Sequence, residues 1–288
     1  MKIAIFGILP FSDIIKEGFK ELGHEISNIN PDIVFSNDPM GYQDAIFLKD
    51  RYPNSYLILN VLDIPWHFPG IEKQFQVLIK RFFSKADRIT AISFKVKKDL
   101  GKFFEKKISE EIQVIYNPTK EVYFDEKIQK DKLFLYVGRA NDPIKRFNLV
   151  RDTLQKIKDG TKNLNVCGAE NPGFGNYLGY VPDDELNKIY NSTKYVFLTS
   201  KAEGIGLPMI EALICGSIPI TCSDNETAKE FLPADFICDP TTESIVKHIE
   251  KFNREYEVKR KLAIELGKKF KEQFDKASVA RNILNVKK

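Results

Sequence analysis

Short apolar runs alternate with amphipathic stretches along the chain. Runs of strand length occur at 2–7, 33–35, 56–61, 87–92 and 112–116. Between them, apolar residues recur at helical spacing, as in the segment that carries Ile15, Phe19 and Leu22. Strands that alternate with helices in this way predict a parallel sheet with helices on both faces.

The alternation stops once and then restarts. Residues 117–130 are polar and charged without periodicity, as is typical of a linker between domains. Further strands are predicted at 133–138, 164–167, 195–199, 218–221 and 236–238, and a charged helical tail follows from Ser244. We therefore expect two doubly wound α/β domains, with a ligand in the cleft at the carboxyl ends of their strands. The predicted boundaries are 1–122, 123–270 and a C-terminal helix, 271–288, that packs back on the first domain.

Composition and charge exclude several classes of protein. Of the 288 residues, 43% are hydrophobic and 12% aromatic, so the chain can fill hydrophobic cores. The net charge of +4 is too small for a dedicated nucleic-acid binder. No apolar run approaches the roughly 20 residues of a membrane span, and the first residues are too strand-like for a signal peptide. We expect a cytoplasmic protein with no nucleic-acid partner.

The cysteines have one simple interpretation, whereas the basic runs have two. The four cysteines form no Cys-x2-Cys pair and have no nearby histidine, so we predict buried, reduced thiols rather than a zinc site. The lysine-rich runs at 95–98, 102–107 and 268–271 leave two interpretations open. They are either solvated helix faces or a basic surface for acidic lipid or a phosphorylated acceptor, which would give peripheral membrane contact.

The loop after the third predicted strand of the second domain carries the most chemistry. Gly204 and Gly206 let backbone approach a ligand closely, and a helix that begins at Pro208 presents free N–H groups to an anion such as a diphosphate. Glu203 in the loop and Glu211 one turn into the helix can each accept hydroxyl hydrogen bonds from a ribose or a sugar.

The spacing of these two glutamates resembles a known signature. Glu203 and Glu211 have seven residues between them, as in the Glu-x7-Glu motif of retaining glycosyltransferases of family 4 (glycosyl transferases group 1). The strand end at Arg139, with Lys145 just beyond it, is similar to the Gly-Arg and Lys pair that grips the donor diphosphate in that family. Further similar segments follow in family order. They lie at 86–93, 114–118, 178–182, 218–221 and 226–230.

This resemblance implies a fold and an activity. The fold is GT-B, in which two Rossmann-like domains face each other across a cleft. The activity is transfer of a hexose from a nucleoside-diphosphate sugar, with retention, to a glycan, lipid-linked or protein-linked acceptor. By the same resemblance, Arg139 and Lys145 hold the diphosphate, Glu203 the donor sugar and Glu211 the ribose. The other residues implied at the donor are Gly138, Gly168, Tyr180, Val181, Gly204, Ile205, Gly206 and Leu207.

No cofactor beyond the donor substrate is expected. The chain has no Asp-x-Asp motif of a metal-dependent donor site, and Asp183 and Asp184 are adjacent residues that suit a helix start. We therefore predict that the reaction is independent of metal.

The first domain departs from the family pattern. Its first strand is followed by a single glycine, Gly7, where the family has a glycine-rich loop. Asp63 stands after a middle strand, but the histidine that precedes it in the family is a leucine here, and His67 lies four residues further on. Asp63 and His67 are the candidates for the acceptor side. His67 either substitutes from the next bend or its role is absent.

Two other functions stay open at this point. A nucleotide-sugar epimerase shares the two-domain architecture but acts without an acceptor. A non-enzymatic nucleotide-sugar-binding module would keep the second domain and lose the acceptor chemistry, which the poor match of the first domain allows.

Overall fold

A computed structural model describes residues 1–7, 11–62, 77, 80–102 and 111–287. The chain divides into two compact units, one formed by Met1–Pro118 with Gln273–Lys288 and the other by Thr119–Glu272. Within the described residues, each unit contains one six-stranded sheet in which every pairing is parallel. The predicted α/β class is confirmed.

The sheet of the first unit reverses its strand order once. Its strands are β1 (Lys2–Phe6), β2 (Glu25–Ile26), β3 (Ile33–Ser36), β4 (Tyr56–Val61), β5 (Arg88–Ala91) and β6 (Gln113–Val114), in the order β2-β1-β3-β4-β5-β6. Its helices include α1 (Phe11–Glu21), α2 (Tyr42–Arg51) and α3 (Phe94–Leu100). The reversal lies between β1 and β3, where doubly wound sheets leave a crevice at the carboxyl ends of the strands.

A helix from the end of the chain completes the core of the first unit. This C-terminal helix (Lys276–Val286) is capped by Asp275, whose carboxylate accepts from two backbone N–H groups. Val279 and Ile283 are buried in the same cluster as Phe19 of α1 and the apolar residues of β1 and β3. The helix therefore contributes apolar area that the first unit needs for its stability.

The sheet of the second unit has the strand order of a Rossmann fold. Its strands are β7 (Lys132–Val137), β8 (Leu164–Cys167), β9 (Asn176–Gly179), β10 (Thr193–Leu198), β11 (Ile218–Cys222) and β12 (Ile237–Cys238), in the order β12-β11-β10-β7-β8-β9. The helices are α4 (Phe147–Gln155), α5 (Asp183–Ser192), α6 (Leu207–Ile214), α7 (Ala228–Phe231), α8 (Thr242–Arg254) and α9 (Tyr256–Gln273). Here the order reverses between β7 and β10.

The segment predicted as a linker is fixed to the second unit from Thr119 onward. The backbone N–H of Tyr123 donates to the side chain of Asn187 on α5, at 2.9 Å. The partly buried Lys130 ammonium donates to the carbonyl of Cys215 at 2.8 Å, and loss of solvent around it lowers the pKa of Lys130 to about 7. Side-chain hydrogen bonds of this kind leave no apolar periodicity in the sequence, which is why the segment resembles an unstructured connection.

Helix α2 and strand β9 are not predicted by the sequence pattern, and each has a physical reason. Helix α2 exposes Phe47 while it buries Tyr42, Ala45 and Leu48, so its apolar positions do not form one clean stripe. Strand β9 lies at the edge of its sheet and is only four residues long, too short for a clear alternation.

The structure shows the state of the cysteines, the lengths of the helices and the grouping of side chains that could bind a metal. All four cysteines are buried, free thiols, as predicted. Across the described ranges, no helix is both long and apolar enough to cross a bilayer. In the same part of the chain, no three or more His, Cys, Asp or Glu side chains form a group that could hold a metal ion.

We expect Gly18→Ala to destabilise the first unit. A methyl group at Gly18 would lie 2.3 Å from the carbonyl oxygen of Lys276, so the C-terminal helix must shift. The expected loss in the free energy of unfolding is about 1–3 kcal/mol, as for other overpacked contacts, despite the better helix propensity of alanine. Denaturant titration measures it. Lys20→Ala, at an exposed position of the same helix, is the control and should change stability by less than about 0.5 kcal/mol. An unchanged midpoint for Gly18→Ala would contradict the close helix contact.

Candidate functional site

The reversal of strand order in the second unit coincides with a cavity. The chain leaves β7 and β10 in opposite directions, so the space at their carboxyl ends is not covered by a crossing connection. A cavity of about 160 Å³ lies there. Its lining includes four of the residues singled out from the sequence, Gly138, Arg139, Lys145 and Glu203.

Lys145 and Glu203 form an ion pair in this cavity. The Lys145 Nζ atom lies 2.7 Å from Glu203 Oε1, and the two side chains are only 21% and 12% exposed. A charged hydrogen bond partly shielded from water is stronger than a surface pair. The pair therefore fixes the two side chains against each other although they come from loops after different strands.

Arg139 is also paired, with a carboxylate that sequence reasoning missed. Its guanidinium lies 2.8 Å from Asp142 Oδ2 but remains 69% exposed. The other oxygen of Asp142 accepts from the backbone N–H of Ile144 at 3.0 Å and so caps the short helical turn Pro143–Lys145. An aspartate directly before a proline is the sequence signal for such a turn.

Tyr136 and Ser200 line the same cavity and were also missed. Burial raises the pKa of the Tyr136 hydroxyl, and the carboxylates of Glu203 and Asp142 raise it further. The hydroxyl therefore keeps its proton and can donate a hydrogen bond. Both residues lie at strand ends that the apolar pattern does locate, but their types carry no motif.

Two glycines touch at the ends of β7 and β8. Gly138 has φ +151°, and a methyl group at Gly168 would lie 2.2 Å from the Gly138 carbonyl oxygen. The N–H of Gly138 donates to the carbonyl of Cys167 at 3.0 Å. Gly168 is therefore required by this backbone contact, which sets the path of the chain just before Arg139.

A further glycine of the site, Gly206, is the N-cap of helix α6. Gly206 is in the left-handed region at φ 82° and precedes Leu207, where the helix starts one residue before the predicted Pro208. Ile205 is buried in the core, so only its backbone can contact a ligand. Gly204 and Leu207 are half-buried beside it. The loop thus presents mainly backbone N–H groups near Glu203, which suits an anion.

Glu211 is buried one turn into α6. The hydroxyl of Tyr190 donates to its Oε2 atom at 2.9 Å. Burial raises the pKa of the Glu211 carboxyl above its ordinary value, although Tyr190 and the nearby Lys120 oppose that rise. The carboxyl is therefore held rigidly, and one of its oxygens already has a donor.

Tyr180 and the partly buried Lys120 lie close together near Glu211. The Lys120 ammonium lies 5.6 Å from the centre of the Tyr180 ring and pairs with Asp183 at 2.6 Å. The Tyr180 side chain is largely exposed, whereas Val181 is buried. Tyr180 therefore offers an aromatic face to a ligand, while Val181 can offer only its backbone.

The first unit carries the acceptor candidates and a second reversal of strand order. Asp63 and His67 lie outside the described residues and stay predictions. At the reversal between β1 and β3, Gly7 has φ +133°, and a methyl group there would lie 1.5 Å from Asn37 Oδ1. The Asn37 amide is fully buried, and among the residues that the structure describes it has no hydrogen-bond partner. Sequence reasoning missed it, although a polar residue directly after an apolar strand is a usable signal.

Comparison with known proteins finds a family whose model matches the second unit. A family model described as Glycosyl transferases group 1 matches residues 119–270. O-antigen chain mannosyltransferase B of Escherichia coli is 38% identical over 79 residues, which are 27% of this chain and 20% of that protein. O-antigen chain mannosyltransferase RfbU of Salmonella typhimurium is 28% identical over 192 residues, or 60% of this chain and 54% of that protein. The chain thus spans about half or less of these curated relatives.

A solved structure extends the likeness to the fold of both units. Anabaena Alr3699/HepE in complex with UDP and glucose superposes with a TM-score of 0.74 at 14% identity, covering 96% of this chain and 80% of that one. An identity this low shows the fold alone. It confirms the expected GT-B class.

We expect the difference in the free energy of unfolding between Glu211→Gln and the native chain to depend on pH. Because the pKa of Glu211 is raised in the folded chain, the folded state holds a proton that the unfolded state has released above about pH 4.5. The native chain therefore loses stability as pH rises through the raised pKa, and the glutamine variant does not. The free energy of unfolding of the variant minus that of the native chain should increase from pH 4.5 to 8, measured by denaturant titration. Glu265→Gln, at an exposed position, is the control. A difference that does not vary with pH would contradict the raised pKa.

Proposed function

The chain belongs to the glycosyl transferases group 1 family, and we propose that it transfers a hexose from a nucleoside-diphosphate sugar to a glycan or lipid-linked acceptor, with retention of anomeric configuration. One observation carries the proposal. Arg139, Lys145 and Glu203 line a single cavity at the point of a Rossmann-like sheet where nucleotides bind.

The two cations suit the diphosphate of the donor. Arg139 and Lys145 each face a carboxylate in the structure, Asp142 and Glu203. A diphosphate competes for the cations because it offers more charge and more acceptor oxygens than one carboxylate. As the bond from sugar to phosphate breaks, negative charge grows on the leaving diphosphate, and fixed cations stabilise it. The N-terminus of α6 adds backbone donors near the same place.

The same exchange gives Glu203 its role. When the diphosphate takes the Lys145 ammonium, the Glu203 carboxylate becomes available to the hydroxyl groups of the donor sugar. Tyr136, which also lines the cavity, has a protonated hydroxyl that can serve as a further donor. No protein nucleophile is part of the proposal.

The nucleoside end of the donor lies with Glu211 and Tyr180. The buried Glu211 carboxyl accepts from a ribose hydroxyl beside the bond it receives from Tyr190. The exposed ring of Tyr180, flanked by Lys120, suits stacking with a base. Backbone groups near Gly168 and Val181 complete this end, as the family resemblance implies.

The names of the relatives support a hexose and a glycan. Two are named as O-antigen chain mannosyltransferases, and the solved structure holds UDP and glucose. Metal independence, a cytoplasmic location and peripheral membrane contact through basic helices are parts of the proposal. For the membrane contact, Lys95 and Lys102 already pair with Asp99, so the basic run near α3 offers less free charge than its sequence indicates.

A panel of donors tests the nucleotide. We expect one of UDP-glucose, GDP-mannose and ADP-glucose to raise the melting temperature by several degrees, because a ligand that binds the native state stabilises it, by about 2.7 kcal/mol at a hundredfold excess over its Kd. The panel is read by thermal shift, with free glucose and mannose as controls. Absence of a shift with all three donors would count against a nucleotide-sugar site.

Replacing Glu203 tests the chemistry. With the donor chosen by the panel, Glu203→Gln should lower the rate of nucleoside diphosphate release by about 100-fold, since misplaced donor groups cost that order of rate. The melting temperature should stay near that of the native chain, because the amide oxygen of the introduced glutamine can still accept the hydrogen bond from Lys145. Glu265→Gln, an exposed change of the same type, should keep the native rate. Native turnover in Glu203→Gln would refute the role of Glu203.

The same assay separates the two other functions. Release of nucleoside diphosphate supports transfer. Conversion of the donor to an isomeric sugar nucleotide without release would identify an epimerase. Tight binding with neither release nor conversion would identify a binding module.

A further inference from the structure

Arg146 has a backbone conformation that an L-residue rarely adopts. Its φ and ψ are 52° and 46°, in the left-handed region, and it stands between Lys145 and the start of α4 at Phe147. A glycine would fill this position without strain. A non-glycine residue persists there only when its surroundings compensate for the strain.

The side chain of Arg146 supplies that compensation. Its Nε atom donates to the carbonyl of Thr199, at the carboxyl end of β10, at 2.7 Å. Its two terminal nitrogens donate to the two oxygens of Asp224, after β11, at 2.7 and 2.8 Å. Only the planar fork of an arginine can make this set of bonds. One side chain thus ties the loop after β7 to the ends of two neighbouring strands.

Further hydrogen bonds hold the backbone of Lys145. The hydroxyl of Thr199 donates to the carbonyl of Lys145 at 2.9 Å, and the N–H of Lys201 donates to the carbonyl of Ile144 at 2.9 Å. The carbonyl of Ile144, before Lys145, and the side chain of Arg146, after it, are both hydrogen-bonded. The main chain is therefore fixed on each side of Lys145.

The turn after β11 contacts both partners of the ion pair. Asp224 reaches Lys145 through Arg146, as described. Thr227, three residues further, donates its hydroxyl to the carbonyl of Glu203 at 2.7 Å. The same short turn therefore supports the loop of the cation and the loop of the carboxylate.

We propose that Arg146 and Asp224 are positioning residues of the donor site, which hold the Lys145 ammonium at the place where it binds the donor diphosphate. The proposal rests on the function proposed above, in which Lys145 binds that diphosphate. The Arg146 guanidinium is occupied by Thr199 and Asp224, so the proposal gives it no direct contact with substrate. Its effect on binding passes through Lys145, and this separates positioning from a role in stability alone.

The test compares binding of UDP, GDP and ADP by native chain, Arg146→Gly, Asp224→Ala, Lys145→Ala and the double variant Lys145→Ala/Arg146→Gly. We expect Arg146→Gly to weaken the Kd of the preferred nucleotide by about tenfold, since small displacements of a binding group carry effects of this order or larger. Its melting temperature should stay close to that of the native chain, because glycine removes the strain. Asp224→Ala should weaken binding in the same direction.

The double variant distinguishes the two roles. If Arg146 acts through Lys145, Lys145→Ala/Arg146→Gly should bind no more weakly than Lys145→Ala alone. If the two effects multiply, Arg146 acts independently of Lys145 and the proposal is overturned. Native affinity in Arg146→Gly would overturn it as well.

Asp159→Gly is a matched control. Asp159 also has a positive φ, 56°, but lies at an exposed position after α4. The substitution removes the same kind of strain away from the cavity and should leave the Kd unchanged. If Lys145→Ala itself binds like the native chain, the function proposed for Lys145 fails and the positioning role fails with it. If only Arg146→Gly binds like the native chain, the proposed function survives and the positioning role fails.

Discussion

The divergence of the chain at β7 and β10 is the constraint on which the candidate site depends. These strands are neighbours in the sheet, yet one continues to β8 and the other to β11 on opposite sides. Within residues 119–272, all of which the structure describes, no connection crosses their carboxyl ends, so a cavity lined partly by charged side chains persists there. The loops that start at these ends carry Arg139, Lys145 and Glu203. Their positions follow from topology before any side-chain contact is made.

The cations at the cavity are matched by carboxylates of the same unit. Each of the two cations has a carboxylate within hydrogen-bond distance, as Lys145 has Glu203. An unpaired cation in a partly shielded place would be costly to fold around, whereas a paired one is stable. Under the proposed function, the phosphate oxygens of the donor replace these carboxylates as partners of the two cations. The carboxylate pairs and the proposed donor thus draw on the same two side chains.

Local residues of the site could be predicted, and long-range partners could not. Glu203, Gly206 and Glu211 lie in one stretch, at a strand end and a helix start that the apolar pattern reveals. The partnership of Arg146 with Asp224 spans 78 positions, and it depends on β7, β10 and β11 being consecutive strands of the sheet. Sequence periodicity predicts strands but not their neighbours, so such contacts require the strand order. Helix α2 was missed for a different reason, its exposed Phe47.

The C-terminal helix has a consequence for how the chain is made. Val279, Ile283 and their neighbours belong to the core of the first unit, although the ribosome adds them after the whole second unit. Domains generally fold in the order of synthesis. Here the unit that is begun first is finished last. During translation, the apolar face of α1 stays exposed to solvent while the second unit folds. A chaperone would have to shield this face of the nascent chain until the C-terminal helix is made.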